Sequence, residues 1–153
     1  MGNDCTMTDG GSDFRIPQKG VAKKGNAFAS HMYAGKSALR YELGVHILTG
    51  NLVWIQGPYP ASMFTDIQIF NKVLMCFLDP GEPVEADEGC RGHTDKVKCP
   101  GYDANPAEKR AMQGRVRAQH ETLKRWMKNW GILSKRSSAI TSRFTAMCFR
   151  HAW

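Results

Sequence analysis

Across residues 39–78 the apolar residues change their spacing from alternation to a helical repeat, and this switch restricts the fold more than any other feature of the chain. "LRYELGVHIL" (39–48) alternates as a half-buried strand does, and "TGN" supplies a turn. "LVWIQG" (52–57) reads as a second strand, so the pair is expected to form a hairpin. "GPYPAS" then breaks the pattern. Beyond it, Phe64, Ile67, Phe70, Leu74, Phe77 and Leu78 recur on one helical face. Ser62 is a natural N-cap for a helix over 62–78, and Thr65 with Gln68 offers a second capping pair. A hairpin that feeds a helix excludes both an all-α and an all-β chain.

The flanking segments extend this order. "DFRIP" (13–17) alternates as one strand, "PVEAD" (83–87) as a short one, and "KVKCPGY" (96–102) as another. A long helix is expected over Pro106–Trp130, capped by Asn105 and ended by Gly131. Met112, Val116, Leu123, Trp126, Met127 and Trp130 fall on its expected buried face; Arg110, Arg117, Glu121, Arg125 and Lys128 line the opposite stripe. Strand, hairpin, helix, strand and long helix together make an α/β fold. At 153 residues, 42% hydrophobic and 23% charged, the chain suits one globular domain. No run approaches the ~20 apolar residues of a membrane helix. The start "MGNDCTMTDGG" has no signal-peptide pattern, and five irregularly spaced cysteines fit reduced thiols, so an intracellular protein is expected.

Charge is divided along the chain. Residues 1–95 hold 8 Lys/Arg against 11 Asp/Glu, whereas residues 96–153 hold 13 against 3, within a total of +7. A basic C-terminal part suits a polyanion such as nucleic acid, and equally suits a solvated helix face. On the long helix Glu121 is the one acid of its stripe, four residues from Arg117 and from Arg125. It reads either as a partner in surface salt bridges or as a carboxylate of a metal cage beside phosphate-holding arginines.

The acids of "VEADEGCRGH" (84–93) raise the same choice. Glu85, Asp87 and Glu88 repel one another unless they are solvated or a cation joins them. Asp87 ends a strand before Gly89, at the edge where α/β sites are built; Asp66 lies in a helix first turn, where a dipole role is also open. Asp9 and Asp13 flank the first strand. Two-metal phosphodiester chemistry needs several carboxylates around cations about 3.5–4 Å apart, and hard oxygen ligands favour Mg²⁺ or Mn²⁺. Cys90, His93 and Cys99, with Cys5 or Cys148, form a weaker zinc alternative without any C-x-x-C.

"DFRIP", "LRYELGVHILTGNLVWIQGPYP", "DIQIF", "FLDPGEPVEADEG", "VKCP" and "RVRAQHETLKRWMKNWGIL" follow one another in this order. Over roughly residues 7–133 the chain resembles the DDE endonuclease domain of Harbinger-type (PIF/Harbinger) transposases and their transposon-derived relatives. The resemblance implies an RNase H-like mixed sheet with flanking helices in residues 1–133, a basic tail at 134–153, and residence in the nucleus. It further implies DNA as partner, with Mg²⁺- or Mn²⁺-dependent cutting and joining. Carried over by position, Asp66, Asp87 and Glu121 are the metal ligands and catalytic carboxylates. Arg117, Arg125 and Lys128, on the same helix stripe as Glu121, are then expected to face nucleic acid.

The chain departs from the family at the first catalytic Asp, where gapless alignment places Gly10; Asp9 stands one residue early and is the doubtful fourth ligand. A one-residue step reverses a strand's faces, so Asp9 joins the others only through a bulge. Cys90 replaces the family's aromatic, Lys124 stands where an Asn is more usual, and Trp126 replaces a basic residue. The family's helical DNA-reading region is also missing. A truncated or degenerate copy is therefore expected, working with a separate DNA-reading partner protein. Two functions follow from this reading: a metal-dependent DNA endonuclease, or a descendant that only binds nucleic acid or a protein.

Overall fold

The computed structural model describes residues 5–16, 25–86, 96–98 and 106–129, and side chains within the last helix at 107, 114 and 117–129. Strands β1 (Met7–Arg15), β2 (Ala38–His46) and β3 (Leu52–Pro60) are followed by helix α1 (Asp66–Lys72). Strands β4 (Val84–Ala86) and β5 (Val97–Lys98) then precede helix α2 (Pro106–Asn129). The five strands form one sheet in the order β3-β2-β1-β4-β5. β1, β2 and β3 pair antiparallel, whereas β4 runs parallel to β1 and β5 parallel to β4. The fold is mixed α/β, as the change of periodicity requires.

The hairpin closes where "TGN" places it. His46 N donates to Asn51 O at 2.8 Å, Gly50 N donates to His46 O at 2.8 Å, and Gly50 takes the positive φ of 72° that a side chain resists. β1 is longer than "DFRIP" indicated. It pairs residue for residue with β2, from Met7 opposite His46 to Arg15 opposite Ala38. Gly10, Gly11 and Ser12 carry no apolar alternation, so the partner strand, and no local pattern, extends β1 to Met7.

The helix expected over 62–78 is shorter. Thr65 caps α1 in a capping box with Gln68, whose side chain accepts from Thr65 N at 3.0 Å. Ser62 is not the cap: its hydroxyl donates to Ala27 O at 2.7 Å and pins the 25–30 segment. α1 ends at Val73 (φ −127°, ψ −66°), and Leu74–Cys76 continue as a 3-10 turn.

Strand alternation divides the core between the sheet's faces. Leu39, Tyr41, Leu43 and Val45 of β2 and Phe14 of β1 pack with Leu123 and Met127 of α2. On the other face Met7, Val84, Ala86 and Val97 pack with Phe70 of α1 and Leu74. Leu123 and Met127 are buried as expected of the helix face, but Trp126 is 67% exposed. With His120, Leu123 and Met127 inward, Trp126 falls on the flank of the buried arc. The side chains of Met112, Val116 and Trp130 lie outside the described residues. Among those described, no helix is long and apolar enough to cross a membrane.

Candidate functional site

On β1 the side chains of Asp9, Gly11 and Asp13 point to the α1 face of the sheet, and those of Thr8, Gly10, Ser12 and Phe14 to the α2 face. The backbone register leaves no doubt about this division. Asp9 pairs with Gly44, Gly11 with Glu42 and Asp13 with Arg40 without interruption; the register shifts of the sheet lie between β2 and β3. The bulge that Asp9 would need in order to turn toward α2 is not there.

The α1 face carries a buried polar network. Asp13 is fully buried and accepts from Ser30 Oγ at 2.5 Å and from Arg40 Nε at 2.8 Å. Arg40 also reaches α1, donating through Nη1 to Asp66 Oδ1 at 3.0 Å and to Phe64 O at 3.1 Å. One guanidinium thus joins β1, β2 and the start of α1. Asp66 lies over Gly11: a Cβ placed there would stand 2.7 Å from Asp66 Oδ1, so the missing side chain makes room for the carboxylate. Glu42, opposite Gly11, is wholly buried, and neither Oε1 nor Oε2 has a hydrogen-bond partner among the described residues. Burial first, then the charges of Asp9 and Asp66, push its pKa from 4.5 up to about 10, against the smaller pull of Arg40 and Lys124. Asp9 is 2% exposed on the same face.

Across the sheet, the centre of β1 meets α2. A Cβ on Gly10 would stand 3.1 Å from His120 Cε1, and His120 is buried. The next residue, Glu121, has a side chain 72% exposed, 3.3 Å from Lys124 Nζ. Arg117 and Arg125 are exposed. Lys128, expected on the solvent stripe, is half-buried, its Nζ 5.8 Å from the centre of the Tyr33 ring, and Arg15 approaches that ring at 5.7 Å. Burial and then Lys124 lower the Lys128 pKa. Burial raises that of Tyr33, whose hydroxyl donates to Asp13 O at 3.1 Å.

The candidate ligands are therefore separated. Asp9 and Asp66 share the α1 face with Glu42 and Asp13, whereas Glu121 extends from α2 on the opposite side. Asp87 lies outside the described residues, as do Cys90, His93, Cys99 and Cys148 of the zinc alternative. Cys5 is buried and Cys76 exposed. Among the described residues, no three His, Cys, Asp or Glu side chains are already gathered so as to hold an ion. Sequence reasoning missed Arg40 and Glu42. Their signal was the alternation of "LRYELGV", which places both opposite Leu39, Tyr41 and Leu43, on a face that only the packing of α1 buries.

Comparison with protein-family models, with curated proteins and with solved structures finds no match for this chain.

Proposed function

We propose that the chain is a transposase-derived domain of the DDE endonuclease type with an RNase H-like fold. In this reading it holds DNA along the basic flank of α2 and cuts or joins phosphodiesters with Mg²⁺ or Mn²⁺. The observation that carries the proposal is the position of Gly10 beneath His120. It brings the centre of β1, where the family has its first Asp, against the "HE" pair of α2. The strand order, an antiparallel β3-β2-β1 followed by parallel β4 and β5, supports the same reading. β4 ends at Ala86, which pairs with Asp9 on β1.

Glu121 suits a cation, because its exposed carboxylate meets Lys124 at 3.3 Å in a solvated pair worth only about 0.3–0.5 kcal/mol. Glu121 and, by the resemblance, Asp87 would hold the metal, which when bound activates a water or a 3′-hydroxyl toward phosphorus. Arg117 and Arg125, one helical turn to either side of Glu121, would seat the phosphates that flank the reacting one. Lys128 is turned toward Tyr33 and adds positive charge from the side. A separate protein would supply sequence reading, and residence in the nucleus would accompany the role.

A second reading follows from Gly10 itself. The position brings no carboxylate to the α2 face, and Asp9 points away from it. A chain that binds DNA without cutting it would show this arrangement. Supercoiled plasmid incubated with the purified chain and Mn²⁺ separates the two. Nicking that disappears with EDTA and in Glu121→Ala supports the nuclease. A folded chain that binds DNA with a steep salt dependence but never nicks supports the binding descendant. Nicking retained in Glu121→Ala would overturn the role given to Glu121.

A further inference from the structure

A second basic region lies outside α2. From Phe14 to Tyr41 the chain holds six Lys/Arg and no Asp or Glu, within a half that is acidic as a whole. Part of that stretch meets the end of α2. Arg15 ends β1, Tyr33 ends the 3-10 turn His31–Tyr33, and Lys128 lies in the last turn of α2. The Arg15 Cζ stands 5.7 Å and the Lys128 Nζ 5.8 Å from the centre of the Tyr33 ring. The ring is tied to β1, because its hydroxyl donates to Asp13 O at 3.1 Å. Both cations are half-buried, and among the described residues neither forms an ion pair. Glu121 and Asp13 attract Lys128 from a distance, but Glu121 meets Lys124, and the Asp13 carboxylate accepts from Ser30 and Arg40. An aromatic face attracts a cation without cancelling its charge. Two such charges on one ring, with Lys36 exposed on the same loop, make a positive surface suited to an anion from outside.

We infer that Arg15, Tyr33 and Lys128 form a phosphate site for the DNA backbone, at the end of β1 and apart from the carboxylate of Glu121. The inference rests on the reading of the chain as a DNA-binding domain, and it extends the contact surface from α2 to the sheet and the loop that carries Tyr33. Lys128 is seven residues beyond Glu121, about 10 Å along the helix axis. A strand whose reacting phosphate sits at Glu121 thus passes further phosphates before it reaches Tyr33. Arg15 supplies a planar fork that matches phosphate oxygens, and Lys128 a mobile point charge. Tyr33 gathers both ends without a carboxylate. An acid in its place would neutralise the cations and repel the phosphate. Contacts of this kind fix the position of DNA and carry no sequence information, so they suit a chain whose sequence reading comes from a separate protein.

The test is the fluorescence anisotropy of a labelled DNA duplex titrated with the full chain at several salt concentrations, in EDTA so that no cleavage intervenes. The double variant Arg15→Gln/Lys128→Gln should bind at least tenfold more weakly than the parent. Its slope of log K against log salt should be shallower by about 0.9 or more, the share of one phosphate contact. Lys72→Gln is the comparison. Lys72 of α1 stands 5.2 Å from the centre of the Phe64 ring, so this variant removes the same charge from the same kind of contact outside the proposed site. Its affinity should stay within twofold of the parent. A double variant that binds like the parent would overturn the inference. Equal losses in Lys72→Gln and Lys128→Gln would do the same, because net charge alone would then govern binding. Should urea unfolding show that the double variant does not fold, Lys128→Gln alone is read, with at least a threefold loss that Lys128→Arg largely restores. A parent that does not bind the duplex would overturn the DNA-binding reading itself, whereas binding that the variants retain overturns the inference alone.

Discussion

Replacing Glu42 by Gln should make the metal-free protein more stable, and more so as pH rises. The side chain keeps its shape, and the change removes one ionisable proton from the centre of the sheet. In the folded chain the Glu42 carboxyl holds its proton up to about pH 10, whereas the unfolded chain releases it near 4.5. Between those values the folded state binds more protons than the unfolded state, so stability falls as pH increases. Each pH unit in this window is worth about 1.4 kcal/mol. From pH 5 to pH 8 the group alone withdraws about 4 kcal/mol, and at pH 7 it has already withdrawn about 3 kcal/mol. That is a large part of the roughly 5–15 kcal/mol that stabilises a typical domain. The assay is urea unfolding at pH 5, 6, 7 and 8 in EDTA, with parent and Glu42→Gln side by side. The parent midpoint should decline steeply across the series, and that of Glu42→Gln should decline much less. Parallel declines would refute the reasoning, because Glu42 would then ionise normally in a solvated site.

Three further expectations follow from the same contacts. Arg40→Ala leaves Asp13 buried without its guanidinium, and should cost about 3–5 kcal/mol in urea unfolding at pH 7; a loss under 1 kcal/mol would show that Asp13 is not an ion-pair carboxylate. Gly10→Asp restores a carboxylate to the β1 position that faces α2, where its Cβ would stand 3.1 Å from His120 Cε1. Mn²⁺-dependent plasmid nicking should rise at least tenfold over the parent, and an unchanged rate would remove position 10 from the proposed site. Gly57→Ala, at φ 146° with its Cβ 2.9 Å from the Arg40 carbonyl oxygen, should cost at least about 1–3 kcal/mol, because backbone cannot give way as a side chain can. A midpoint like the parent's would show that β3 can shift away from β2.

The local sequence contained the elements and their order. The change from alternation to helical spacing around Pro58–Pro60, the "TGN" turn and the Thr65–Gln68 pair depend on neighbours within a few residues, and each takes the form those neighbours impose. Alternation also showed that Asp9 and Gly10 lie on opposite faces of one strand. It did not show which helix covers which face, and that decides the site. The register of β1 on β2 brings Glu42 beside Asp9, although 33 positions separate them in the chain. The docking of α1 sets Asp66 over Gly11, and the rotation of α2 turns His120 inward and leaves Trp126 exposed. Packing across the two faces of the sheet settles these arrangements. It assigns every residue on an alternating strand to one helix or the other, and no pattern within the strand carries that choice.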